Sequence, residues 1–355
     1  MRIVIYLAID TIFEKHKTPV GHPESPMRIR KIIEEYNNST LKDKINLLKP
    51  SKAPEEYVTL VHDPNHVNYI KTLCKLGGGA ITADTNVSEE TYDVALYAIG
   101  TAIKAAELAI RNREGFHFTA IRPPGHHATK DFSKGFCIFN NIAIVAKYLK
   151  VYYDMSRIAI IDFDVHHGDG TQSIFYDDPS VLYVSLHQDP RTLYPGTGFP
   201  EEIGDGEGEG YTVNIPLPPG LTSNGYMRVF SEIVEPIIKQ YKPDIILVSA
   251  GFDGHHDDNI SDMNLQVETY WHLGKRIHKL ANECSIKAIV SVLEGGYSLR
   301  YMPKSLLNYI LAPITQTPVY REGKLLLLEG RKADLRLQRY LNHIRRVISK
   351  YWSIG

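Results

Sequence analysis

The sequence has little cysteine. Three occur among 355 residues, Cys74, Cys137 and Cys284, none in a CxxC spacing. An odd and sparse set argues against a disulfide framework and for free, mostly buried thiols in a reducing compartment. Net charge is almost absent as well, with 40 Lys and Arg against 41 Asp and Glu, a formal −1. No global field draws the chain toward nucleic acid or a membrane, and direct nucleic-acid binding is not expected. Long apolar runs are also missing. The opening MRIVIYLA is too short for the core of an export signal with its flanks, is followed by Asp10 and has no small-residue cleavage site, so it reads as a first buried strand. Nothing approaches the ~20 apolar residues of a membrane span. A cytoplasmic protein is expected.

At 43% hydrophobic and 23% charged residues the chain can bury a large core. Short runs rich in Ile and Val recur at 118–121, 158–161, 181–186, 245–250 and 288–293. Between them lie stretches of helical length, at 91–112, 140–150, 225–241 and 264–284. That alternation predicts an α/β fold, a mostly parallel sheet with both faces covered, as one domain over residues 1–355. The tail beyond Gly323 is rich in Arg and Lys. Leu337, Leu341, Ile344, Ile348 and Tyr351 form a helical stripe there, predicting a basic amphipathic helix around 333–352 docked on the domain. An oligomer or nucleic-acid contact is its other possible use, and oligomeric state stays open.

Each predicted strand runs into a polar segment. RPPGHH comes after 118–121, DFDVHHGD after 158–161, His187 after 181–186, GFD after 245–250 and EGGY after 288–293. Ligands of open parallel sheets bind at the carboxyl ends of strands, so these groups are expected at one edge. Asp162, Asp164 and His166 stand at i, i+2 and i+4, which on an extended segment points all three the same way. Two carboxylates and an imidazole so crowded call for a cation, and Asp253 can complete a three-ligand set with a position left open. The bland alternative is a hydrogen-bonded polar cluster capping strand ends, which is costly without a counter-charge. His126 and His127 have Asp162 and Asp169 available as orienting carboxylates. With Tyr297 as a donor to a developing oxyanion, the set suits metal-assisted amide hydrolysis.

These segments closely resemble the histone deacetylase superfamily, which includes acetylpolyamine amidohydrolases and acetoin-utilisation proteins. The resemblance rests on RPPGHHA (122–128), GFCIFNN (135–141), IDFDVHHGDG (161–170), YPGTG (194–198), SAGFDGHHDD (249–258) and EGGY (294–297), with GHPE (21–24) and Arg28 near the start. It implies an arginase-like fold, a three-layer α/β/α domain on an eight-stranded parallel sheet. It implies zinc ligands Asp164, His166 and Asp253, with ferrous iron the other metal that such ligands tolerate. His127 would be the general base and acid, oriented by Asp169. His126, oriented by Asp162, would be its electrostatic partner, and Tyr297 would polarise the acetyl carbonyl. Phe136 and Tyr194, with Gly135 beside them, would wall a narrow tunnel. A potassium ion would sit on Asp162 and the main-chain carbonyls near Asp164, His166, Ser185 and Leu186.

The implied substrate is acetylated lysine or a small acetylated amine. Polyamine-selective relatives carry an acidic gatekeeper a few residues after the third metal ligand. The same distance from Asp253 reaches Ile260, which is apolar and favours acyl-lysine, unless Asp257, Asp258 or Asp262 supplies the charge. Asp84, after a glycine turn, is a candidate for the tunnel rim. His167, His187, His255 and His256 read as supports. An acetylpolyamine amidohydrolase is the nearest alternative function, and a non-catalytic acyl-ligand binding protein the alternative of another class.

Overall fold

Eight strands pair in parallel to form one sheet, and the chain ends of its central strands bring the candidate residues together. The computed structural model of the chain describes residues 3–112, 115–286, 288–323 and 328–354, with side chains of the last segment described from residue 332. The strands are β1 (Ile5–Ala8), β2 (Ile45–Leu47), β3 (Gly78–Ala80), β4 (Asn86–Ser88), β5 (Phe116–Thr119), β6 (Ile158–Asp162), β7 (Val181–Gln188), β8 (Thr212–Leu217), β9 (Ile245–Ala250) and β10 (Ile289–Leu293). Their order in the sheet is β2-β1-β5-β10-β9-β6-β7-β8, with β3 and β4 a separate antiparallel pair. Every residue of β5 to β10 is buried, because helices cover both faces and strands of this kind need no polar side. Helices Val267–Glu283 and Met302–Leu311 pack on each other, as do Thr91–Asn112 and Asn141–Tyr153. The molecule is a single α/β domain.

The boundaries differ from the sequence reading where polar residues interrupt apolar runs. β5 begins at Phe116, two residues before the expected 118, because His117 lies buried in the strand and stacks on Tyr6 with ring centroids 4.8 Å apart. The helix expected from 264 begins at Val267, where Gln266 and Thr269 form a capping box. The stretch 225–241 is helical but holds a π turn at Phe230–Val234, just before Pro236, whose missing N–H removes an α-helical bond. β2 and β8 gave no apolar run of their own. Both are edges, and an edge tolerates the exposed residues of β2 and the Asn214 and Pro216 of β8.

The C-terminal helix, Leu328–Ile348, covers the outer side of β8. Leu337, Leu341, Ile344 and Ile348 are buried there, and Tyr351 is half-buried beyond its end. Covering an edge strand removes its unpaired backbone groups from reach of other chains. No described helix is long and apolar enough to cross a membrane.

Candidate active site

β5, β10, β9 and β6 are consecutive in the sheet, so the segments after them meet at one edge. After β6 the chain does not stay extended. Asp162 Oδ1 accepts the N–H of Asp164 at 3.1 Å and Asp164 Oδ1 accepts the N–H of His166 at 2.9 Å. Two successive side-chain turns of this kind coil the segment. The expectation that Asp162, Asp164 and His166 share one side of a strand is thereby corrected. Asp162 turns toward His126 and Tyr183, while Asp164 and His166 meet Asp253 from the end of β9.

Asp164, His166 and Asp253 are buried, with one ligand atom of each within 4.8 Å of the others. His166 Nδ1 lies 3.0 Å from Asp164 Oδ1 and 3.3 Å from Asp253 Oδ2. Asp253 Oδ1 accepts the N–H of Val165, whereas Oδ2 has no hydrogen bond within the described structure. Burial disfavours charge on His166, but the two carboxylates prevail and raise its pKa to about 9. Burial and the charge of Asp164 raise Asp253. Such a cradle attracts a cation. Glycine makes room for it: a Cβ at Gly251 would collide with Asp164 Oδ2, and one at Gly295 with Asp253 Oδ2.

The two neighbouring histidines are each held by a carboxylate. His126 Nδ1 is 3.0 Å from Asp162 Oδ2, which also accepts the Tyr183 hydroxyl at 3.0 Å. His127 Nδ1 is 2.9 Å from Asp169 Oδ1, and Lys134 binds the other oxygen of Asp169. The pairs titrate in opposite directions. Burial opposes a charged His126, but Asp162 and Asp164 outweigh it and raise its pKa well above the usual value. Burial, then the charge of His126, lower His127 to about 4 despite Asp169. Two adjacent imidazoles with ring centroids 4.1 Å apart are thus biased, one toward a cation and one toward a neutral base.

Both rings face a cavity of ≈ 240 Å³ that also holds Phe136, Tyr194 and Tyr297. Tyr194 stands edge-on to His127 and Phe136 edge-on to Tyr297, at 5.1 and 5.7 Å between centroids. Gly135 carries a φ of +55°, and a side chain there would strike the His127 ring at 2.5 Å. Ile260 and Asp84 reach the same cavity. The Asp84 carboxylate accepts the hydroxyls of Thr82 and Thr85 at 2.5 and 2.8 Å. The other acids of the 253–262 loop turn away from it. Asp257 accepts the Ser298 hydroxyl, Asp258 the N–H groups of Tyr297 and Ser298, and Asp262 the side-chain amide of Gln188. Asp162 and Ser185 are register partners in β6 and β7, which sets the main chain of 185–186 beside the 162–166 turn.

Several residues of the site stood in the matching motifs of the sequence without an assigned role. Glu294 accepts the N–H groups of Gly125 and His126 at 2.7 and 3.2 Å, holding the turn that presents both histidines. Arg28 donates to the carbonyls of Gly296 and Glu294 at 2.7 and 2.5 Å, and its guanidinium lies 4.8 Å from the centre of the Tyr297 ring. Cys137 lines the cavity floor. These are backbone supports and a small apolar wall, roles that residue type does not advertise. His167 and His187 serve the 194–198 loop through Thr197 and the carbonyl of Gly198. His255 and His256 both donate toward Glu322, at 2.9 Å each. That cluster has the residue types of a metal site, but His255 Nδ1 accepts the N–H of Asp257, so its proton sits on the nitrogen that would bind metal.

Comparison with known proteins agrees with this geometry. Residues 22–312 match the family model described as the histone deacetylase domain. A probable deacetylase of Archaeoglobus fulgidus is 41% identical over 347 residues, covering 95% of this chain and 96% of that protein. A histone deacetylase-like amidohydrolase of Pseudomonas aeruginosa is 34% identical over 283 residues, 80% of this chain and 74% of that one. The crystal structure of the HDA15 HD domain superposes with a TM-score of 0.86 at 28% identity, covering 98% of this chain and 96% of that one. A parallel eight-stranded sheet with a carboxylate-rich site at its carboxyl edge is the arginase-like architecture of the deacetylases. The chain belongs to the histone deacetylase family, a family of deacetylases and amidohydrolases.

Proposed function

We propose that the protein is a metal-dependent deacetylase acting on acetylated lysine or a related acetyl-amide on an uncharged stem. The carrying observation is the meeting, at the floor of one narrow cavity, of the Asp164–His166–Asp253 cradle with two carboxylate-oriented histidines. The donor set suits a zinc-class ion, zinc or ferrous iron, and Asp253 Oδ2, buried without a hydrogen bond among the described residues and 3.3 Å from His166 Nδ1, supports that fit. Such an ion would acidify a water and polarise the acyl carbonyl.

The chain's own groups do the rest. Asp169 holds the His127 proton on Nδ1, leaving Nε2 to take a proton from the attacking water and deliver it to the leaving amine. His126, drawn toward its charged form, places positive charge beside the reacting carbonyl. Burial raises the Tyr297 phenol well above its usual range, so it stays protonated and can donate to the developing oxyanion. Phe136 and Tyr194 wall a slot that suits an aliphatic chain with an amide at its tip. Water adds across the C–N bond, releasing acetate and an amine. A potassium ion on Asp162 and the adjoining main chain is part of this reading, as the alignment of β6 with β7 supports, and no step depends on it. With three free cysteines, so is a cytoplasmic setting.

Ile260, with Asp257 and Asp258 bonded to Ser298 and to the Tyr297 and Ser298 N–H groups outside the cavity lining, leaves Asp84 as the carboxylate lining the cavity among the described residues, and this favours acetyl-lysine. The test is acetate release by zinc-loaded protein from an acetyl-lysine peptide and from N-acetylated putrescine and spermidine, with His127→Ala alongside. Peptide preference, lost on chelation and in the variant, is expected. Preference for acetylpolyamines overturns the substrate, and binding of acetyl-lysine without acetate release overturns catalysis in favour of an acyl-ligand binding protein.

A further inference from the structure

The C-terminal helix turns a line of lysine and arginine side chains, with His343 among them, outward. Lys332, Arg336, Arg339, His343 and Arg346 succeed one another at steps of four, three, four and three residues, which places them on a single face. The buried leucines and isoleucines lie on the opposite side, and Arg345, on a third, pairs with Glu232. Lys332, Arg339 and Arg346 are exposed and make no ion pair among the described residues, and Arg336 donates only to the carbonyl of Pro219 at 3.3 Å. His343 is paired with Glu201 at 2.8 Å. In a chain of net charge −1 this is a local concentration of positive charge.

Its position is set by contacts at both ends. Arg336 touches Pro219 and Asp334 accepts the Thr222 hydroxyl, both just after β8, while Trp352 donates to Gly210 just before it. The helix therefore runs antiparallel to β8, with Lys332 and Arg336 at the edge of the sheet where the active site lies. Tyr340 donates to Asp189 at 2.6 Å, at the start of the loop that carries Leu193 and Tyr194 into the tunnel. A groove of ≈ 690 Å³ has Lys332 and Arg336 on one wall and Ser261 and Asp262 on the other, next in sequence to the tunnel residue Ile260. Leu335, 80% exposed, lines the same groove.

We propose that this face docks an acidic segment of the polypeptide whose acetylated lysine enters the tunnel. The proposal rests on the deacetylase reading above. A lysine side chain held in the tunnel obliges its own backbone to leave over the rim, and the groove and stripe begin there. From Lys332 to Arg346 the stripe runs ~21 Å at the helical rise, the reach of about six extended residues. Asp262 in the groove and Glu201 beside His343 interrupt the positive field. A uniformly anionic polymer such as nucleic acid would meet both, whereas a peptide with spaced carboxylates can avoid them. Complementary charge of this kind acts on encounter and affinity rather than on the chemical step.

The experiment compares three substrates: a short acetyl-lysine amide without flanks, an acetyl-lysine peptide with an adjoining run of Glu and Asp, and the same peptide with Gln and Asn. Each is assayed with the wild type, with Lys332→Glu/Arg336→Glu/Arg339→Glu and with the corresponding Gln triple variant. In the wild type, KM for the acidic peptide is expected roughly tenfold below that of the neutral one, and to rise with salt. Both variants are expected to abolish the difference and leave turnover of the short amide unchanged. Fluorescence anisotropy of the unacetylated acidic peptide reads docking without turnover, so failure of the deacetylase reading is seen separately, as no acetate from the short amide. Equal KM for the two peptides in the wild type, or equal loss on the short amide in the variants, would overturn the proposal. So would binding of duplex DNA, but not of the acidic peptide, that depends on the same three residues.

Discussion

Asp258 accepts the backbone N–H of Tyr297 at 2.6 Å, and the same carboxylate oxygen accepts that of Ser298 at 3.1 Å. Its second oxygen accepts the N–H of Ile260 at 3.4 Å. One buried carboxylate thus ties the phenol at the tunnel floor to the apolar residue that lines the tunnel. Arg28 holds the same loop from the opposite side through the carbonyls of Gly296 and Glu294. The ring of Tyr297 is aimed by its backbone, and the backbone by these two side chains.

Asp258→Ala is expected to lower kcat ~10- to 100-fold with little change in KM, because a misplaced Tyr297 donates poorly only as the oxyanion forms. Asp258→Asn, which keeps an acceptor oxygen, should recover part of the loss. Steady-state kinetics of both variants and of Tyr297→Phe decide the matter, and an unchanged kcat in the alanine variant would sink it.

Ile260→Glu places a second carboxylate beside Asp84 in the lining of the tunnel. The ratio of kcat/KM for acetylspermidine over an acetyl-lysine peptide should rise roughly tenfold or more, the scale of one charge-assisted contact. Competition assays with both substrates measure it, and a ratio that does not move would show that Ile260 does not select.

Glu24 is fully buried between Arg28 and Arg122, bound by both guanidiniums. Burial works against its charge, yet Arg122 and His16 hold its carboxyl well below the usual range. Glu24→Gln leaves two buried arginines without a counter-charge and should cost about 3–5 kcal/mol of stability. Urea denaturation of the metal-loaded protein gives the number, and a loss under ~1 kcal/mol would mean the arginines find other partners.

Glu322 bridges His255, His256 and the N–H of Val267. Burial disfavours its anion, but these hydrogen bonds prevail and lower its pKa from 4.5 to about 2. The folded state therefore favours the carboxylate. Its contribution is complete above about pH 4.5 and is lost as pH falls toward about 2. The stability difference between wild type and Glu322→Gln should be constant from about pH 5 to about pH 7 and shrink on acidification to about pH 3. A difference that grows on acidification would contradict the assignment.

Much of the site is legible in the order of residues. A histidine pair after one strand, an Asp-x-Asp-x-His run after another and Asp253 after a third place ligating groups at one edge as soon as the sheet is parallel. The segment after β6 reads as extended in the sequence and coils in the fold, because alternation counts positions and not the hydrogen bonds that Asp162 and Asp164 make to their own backbone. The acidic loop 257–262 is ambiguous for the same reason. Whether a carboxylate faces a tunnel or the N–H groups of another strand's loop depends on a partner 39 residues away, as for Asp258 and Tyr297.

Residue type and order alone determined the class of fold, the ionisable groups at the strand ends and the absence of any membrane-length apolar run, because burial pattern and ligand chemistry are properties of the residues themselves. Tertiary structure decided how the segment after β6 coils, which acids of the 257–262 loop stay out of the cavity lining, and that Lys332 and Arg336 of the last helix share a groove with Ser261 and Asp262. The last two outcomes depend on distances between segments far apart in the chain, and such distances exist only once the strands have taken their order in the sheet.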